Sequence, residues 1–168
     1  MATRKPTKVE PTQVFADIPE NVDPNMLITV RNGYHGTLTY TSPRTKEEFV
    51  WEDFGDEQDI ELKELRSAKS ANKIFFENNY FMFDDEYSWV IPYLGLTKYY
   101  ENAMGMDGFD KIFHSTPAEI KRVVDGMSNG QKKSLLYCAK DKVASGEVDS
   151  MKIISALEEA LGVTLLDR

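Results

Sequence analysis

The stretch Glu47–Leu65, EEFVWEDFGDEQDIELKEL, changes its period along its length, and that change sets the fold. In EEFVWEDF an extended chain puts Phe49 and Trp51 on one face and Glu48, Val50 and Glu52 on the other. A half-buried strand needs this alternation, because successive side chains point to opposite faces. EDFGDEQD reads as a turn and DEQDIEL as the next strand. From Glu61 the spacing becomes helical: Leu62, Leu65, Ala68, Ala71, Ile74 and Phe75 recur at three- or four-residue steps along one stripe. The stripe predicts one helix of about four turns, ended by Asn78 and Asn79. Nine carboxylates accompany a single lysine, Lys63, in the quoted stretch. They are expected on the solvent side of the strands and in the turn.

Upstream, MLITVRN and GTLTYTS alternate in the same way, and they are separated by NGYHG. Asn32-Gly33 is a turn pair, since both residues tolerate positive φ. Four short strands with turn signals every eight to twelve residues predict a small antiparallel sheet. Before it, Met1–Pro24 carries four prolines and little periodicity, the pattern of an arm. Its one apolar cluster is Val14, Phe15 and Ile18, a candidate contact with a neighbouring molecule.

Downstream, YFMFDDEYSWVIPYLGLTKYY is dense in aromatic residues and predicts short helices near Tyr87–Leu94 and Thr97–Asn102. Most of these rings are expected in the core, with Tyr99 and Tyr100 as candidates for an interface, where amphipathic rings are favoured. NAMGMDGFD, Asn102–Asp110, looks like a hinge. Three punctuated helices follow. Thr116, Pro117 and Glu119 form a capping box, Ser128 and Gln131 repeat it, and Asp149 is the expected cap of the last helix. Gly146 and Gly162 are the expected stops. The chain therefore reads as α+β: an arm at 1–25, a small N-terminal antiparallel β lobe with aromatic-rich helices at 26–104, and a mainly helical C-terminal part at 105–168.

The 168 residues include 41% hydrophobic side chains and carry a net charge of −8, with a sequence pI near 4.8. Such a balance repels nucleic acid and anionic membrane and favours a protein partner or self-association. Cys138 is the single cysteine, so no intrachain disulfide forms, and its helical setting predicts a packed thiol in a reducing compartment. No apolar run reaches the roughly 18 residues that span a bilayer. The first residues lack the apolar core of a secretory signal. Synthesis in the cytoplasm is the expectation.

Motifs for chemistry are missing from the sequence. His35, His114 and Cys138 have no zinc spacing. Asp53, Asp56, Glu57, Asp59 and Glu61 lack the order of an EF-hand loop. There is no G-x-S-x-G elbow, P-loop or G-x-G-x-x-G turn. Neither a cofactor, a metal nor an enzymatic activity is expected. The two helices at Pro117–Met127 and Asn129–Ala144 resemble a helix-turn-helix, with Lys132, Lys133, Lys140 and Lys142 on the second. A lobe near neutrality lacks the basic footprint of a DNA-binding domain.

The stretches VRNGYHGTLTYTSPRTKEEFVWEDFGDEQDIELKELRSAK and FFENNYFMFDD resemble small proteins of tailed bacteriophages of Gram-positive hosts. The likeness covers about residues 27–100 and, more loosely, the helical end from Gly130 to Val163. It implies a non-enzymatic structural or assembly component of the virion, from the neck, tail or baseplate region. Such a component would be made in the host cytoplasm and work through contacts with other virion proteins or copies of itself, as a homo-oligomer. No site residues transfer with the resemblance. The alternative is an acidic inhibitor that blocks a host nucleic-acid-binding protein through residues 47–64, with Glu52, Asp53, Asp56 and Glu57 as its contact residues.

Overall fold

The computed structural model describes residues 14–166; most of the N-terminal arm therefore lies outside the described residues. Five strands form in the N-terminal half: β1 (Leu27–Asn32), β2 (Leu38–Thr41), β3 (Glu48–Trp51), β4 (Glu57–Glu61) and β5 (Phe81–Phe83). They make two antiparallel sheets, β4-β1-β5 and the hairpin β2-β3. β1 is central, and Ile28, Val30 and Asn32 on its inner face are buried. Ile28 lies opposite Ile60 on β4, and Val30 opposite Phe83 on β5. The quoted acidic stretch does form a strand, a turn and a strand, with Trp51 and Ile60 facing in. The indole N–H of Trp51 donates to the carbonyl of Val30 at 2.9 Å and joins the two sheets. Burying a ring of that size contributes on the order of 2 kcal/mol, and the bond satisfies its one polar atom.

The single four-strand sheet expected above is corrected in two ways. Asn32-Gly33 does not close a β1–β2 hairpin. The side chain of Asn32 instead accepts from the Tyr34 N–H and donates to the Gly36 carbonyl, and it turns the chain toward the second sheet. Gly33 is required by proximity: a Cβ there would lie 2.3 Å from the Asn79 carbonyl oxygen. Second, the third strand of the first sheet comes from the aromatic block. β5 is three residues long and buried on both faces, so it carries no alternation to read.

Helix α1 spans Leu62–Ala71 and α2 Ile74–Glu77. The chain becomes extended at Asn72, which splits the expected four-turn helix. The break rotates the stripe, so Phe76 is buried and Ile74 is exposed. Asn79 then takes a left-handed φ of 55°, which its short side chain tolerates. The short helices α3 (Val90–Tyr93) and α4 (Thr97–Tyr100) complete a first core that runs from Ile28 to Ala103.

Helices α5 (Gly108–Lys111), α6 (Pro117–Asp125), α7 (Asn129–Ala144) and α8 (Met151–Leu161) surround a second core from Met104 to Leu157. The hydroxyls of Thr116 and Ser128 accept the N–H groups of Glu119 and Gln131, as the caps require. Asp149 does not cap α8; Ser150 stands at that position without a side-chain bond. Gly146 and Gly162 adopt the positive φ expected of helix stops. The expected hinge is fastened at Met104, whose N–H and carbonyl both bond the Gln131 side chain, at 2.9 and 2.8 Å. Gln131 therefore does not complete a capping box. It spans the seam between the cores together with Ser134, whose hydroxyl donates to the Gly33 carbonyl at 2.8 Å. Among the described residues no helix is long and apolar enough to cross a membrane.

Candidate interaction surface

The described part of the arm runs along the first core. Phe15 is half-buried against that core, and the Ala16 N–H donates to the Ser88 hydroxyl at 2.7 Å. This anchor leaves Val14 85% exposed and Ile18 48% exposed. Val14 sits on the wall of a cleft of about 850 Å³ between the two cores, beside Phe83, Met104, Met106, Ile112 and Val123. Carboxylates of Asp84, Asp85, Glu86, Asp107 and Glu119 line the same cleft with Lys111 and Arg122.

The turn after β3 is built by hydrogen bonds that divide its acids into two kinds. Asp56 Oδ2 accepts the Asp53 N–H at 2.9 Å, so Asp56 holds the turn. Glu57 pairs with Arg31 at 3.2 Å, and Arg31 also bonds Asp84 at 2.7 Å and the Gly55 carbonyl at 3.1 Å. The carboxylates of Glu52 and Asp53 are exposed and make no ion pair among the described residues. Of the four acids singled out in the sequence, Glu52 and Asp53 remain free to meet a partner.

Glu64, at the other end of the acidic stretch, is buried. It accepts from the Tyr40 hydroxyl at 2.8 Å and from Arg44 at 2.9 Å. Burial alone would raise its pKa, but hydrogen bonds from Ser42, Tyr40 and Arg44 outweigh burial and hold the carboxyl below its ordinary value. The network pins the β2–β3 loop to α1. Tyr40 is pushed up by burial and by the bond to Glu64.

The aromatic candidates separate. Tyr99 is half-buried under the Lys98 ammonium, 4.9 Å from its ring centre. Tyr100 is 1% exposed, and its hydroxyl donates to the Phe81 carbonyl at 2.6 Å. Tyr100 is a core residue, and its assignment to an interface is corrected. A better exposed ring went unnoticed in the sequence: Tyr137 on α7, which stacks on His35 with ring centres 4.1 Å apart and planes 2° from parallel. His35 also lies 4.2 Å from the Tyr34 ring. Its Nδ1 is buried without a hydrogen-bond partner among the described residues. Burial, with the nearby Lys133 charge, lowers its pKa and keeps the ring neutral at pH 7. Nothing local announces this stack, since its rings are 102 positions apart in the chain.

Helix α7 is not displayed as a free recognition helix. Its Gly130, Gln131 and Ser134 are buried against the first core. Lys142 instead bonds Glu147 at 2.9 Å. Cys138 is half-buried, and burial pushes its thiol pKa up, away from a reactive thiolate. Among the described residues, no group of three or more His, Cys, Asp and Glu is placed to hold a metal. Comparison with protein-family models, curated proteins and solved structures finds no match.

Proposed function

We propose that the protein is a non-enzymatic structural or assembly component of a tailed-phage particle, in the neck, tail or baseplate region, acting through protein–protein contacts. The observation that supports this best is the anchored arm. Phe15 and Ala16 are held by the first core, while Val14 and Ile18 stay exposed. Val14 lines the cleft together with Met104 and Met106. Methionine side chains adapt to the shape of a partner. An anchored strap with exposed apolar side chains beside such a cleft suits a chain that joins neighbours in an assembly. Synthesis in the host cytoplasm and incorporation into the virion go with this role.

The test is retention of the particle's own structural proteins by the purified chain. The double variant Val14→Asp, Ile18→Asp should lower that retention at least tenfold while thermal unfolding stays the same. A chain that neither self-associates nor retains any structural protein of the particle would count against the role.

A second reading, the acidic inhibitor, has support in the exposed carboxylates of Glu52 and Asp53. It requires Glu52→Lys, Asp53→Lys to abolish binding to a basic nucleic-acid-binding protein. An assembly role through the arm requires those substitutions to leave arm contacts intact.

A further inference from the structure

Three chain segments meet at one end of the first core. Asn32 Nδ2 donates to the Gly36 carbonyl at 2.8 Å and to the Asp53 carbonyl at 3.1 Å, which holds the 33–36 and 52–56 turns side by side. The Thr37 hydroxyl adds a bond to the Glu52 carbonyl at 3.2 Å. Helix α7 reaches the same turns through the Ser134–Gly33 bond and the His35–Tyr137 stack. The segments joined here carry charges of opposite sign that are exposed or half-exposed. Glu52 and Asp53 lie on the turn side, with Lys132, Lys133 and Lys140 on α7. None of the five makes an ion pair among the described residues. Tyr137 is 48% exposed, its ring backed by His35 and with the Lys140 ammonium 5.5 Å from its centre.

We infer that this end of the molecule is a twofold interface with a second copy of the chain, in which the α7 lysines of each copy meet Glu52 and Asp53 of the other around Tyr137. The inference rests on the assembly role and names its partner. A twofold contact brings one patch against itself, so the patch must carry both halves of every complementary pair. Separate acidic and basic sides around an exposed tyrosine meet that condition, and tyrosine is enriched at the centres of interfaces. Nucleic acid is the poorer occupant: the exposed Glu52 and Asp53 on the adjoining turn repel phosphate, in a chain of net charge −8. A neutral His35 keeps the stack free of a further positive charge beside Lys133.

The experiment is sedimentation velocity and light scattering on the full chain over a range of concentration, with far-ultraviolet circular dichroism to confirm folding. All four reversed positions are exposed, so the fold should persist. The wild type should dimerise, more weakly in 1 M salt. Lys133→Glu, Lys140→Glu should raise the dimer dissociation constant at least tenfold, as should Glu52→Lys, Asp53→Lys. Mixing the two variants one to one should restore dimers, because each reversed patch then faces its complement. Tyr137→Ala, which alters no charge, should weaken the dimer also. Mass that ignores all these changes overturns this interface and leaves the assembly role standing if the Val14, Ile18 variant still loses its contacts. A wild type that stays monomeric overturns the interface. A monomer that binds single-stranded DNA through Lys133 and Lys140 overturns it in favour of nucleic acid.

Discussion

Replacing Gly130 by alanine puts two physical effects in opposition. Gly130 lies near the start of α7, where alanine gains up to about 1 kcal/mol from helix propensity. Taken alone, that effect predicts a more stable protein. The seam between the cores predicts the reverse. A Cβ at 130 would sit 2.3 Å from the Asn78 carbonyl oxygen, 2.6 Å from Asn78 Cβ and 2.9 Å from Tyr80 Cε1. The oxygen is backbone, so relief requires α7 to move away from the end of α2. Overpacking costs about 1–3 kcal/mol, and contact with backbone belongs at the upper end. The net expectation is a loss of about 2 kcal/mol, or a Tm lower by about 4–8 °C for a chain of this length. Urea denaturation followed by tryptophan fluorescence measures it, since Trp51 and Trp89 are both buried. Gly105→Ala is the control: a Cβ there meets nothing within 4 Å, so its effect should stay within about 0.5 kcal/mol. If Gly130→Ala stabilised the protein by about 1 kcal/mol, the close approach of the two cores at α7 would be refuted.

Two further outcomes follow from buried polar groups. Glu64→Gln should cost about 2 kcal/mol at pH 7, because hydrogen bonds to an ionised group are lost in a buried setting. The folded pKa of Glu64 lies below its ordinary value of 4.5, so its contribution is complete above that pH and fades as pH falls through the folded pKa; urea midpoints of the two proteins should converge on acidification. Gln131→Leu keeps the volume but strands the Met104 N–H and carbonyl in a buried place, at a cost of about 3 kcal/mol; an equal or higher denaturation midpoint would show that Met104 finds other partners.

How far the sequence carried these features depended on the range of the interaction. Local signals held. Trp51 and Ile60 face in because alternation says so, and Thr116, Ser128, Gly146 and Gly162 punctuate the helices as their chemistry demands. Errors arose where a distant partner decided. Asn72 breaks a stripe that ran smoothly on paper, since Phe76 has a place in the first core and Phe75 only a partial one. β5 has no pattern of its own and is defined by pairing with β1. Gln131 looked like half of a capping box and serves Met104 instead. For the candidate surface, exposure of Val14 and of the Glu52–Asp53 pair was legible from polarity and position. Burial of Tyr100 and exposure of Tyr137 were not, because both rings lie on helices and only packing decides which way each faces.

The Ser134–Gly33 bond, which closes the seam across 101 residues, also orders events in time. By residue 83 the growing chain holds all three strands of the first sheet, and by residue 103 every member of the first core. Gln131 and Ser134 are then still to be made. During synthesis the Gly33 carbonyl waits for the Ser134 hydroxyl and Met82 for the Gln131 side chain, both of which come from α7. Long-range contacts of this kind set the pace of folding through the entropy of closing the loop between them. Docking of α7 can therefore follow only after every buried member of the first core has been made, and until it occurs the turn carrying His35 has no ring to stack on from the helix that will support it.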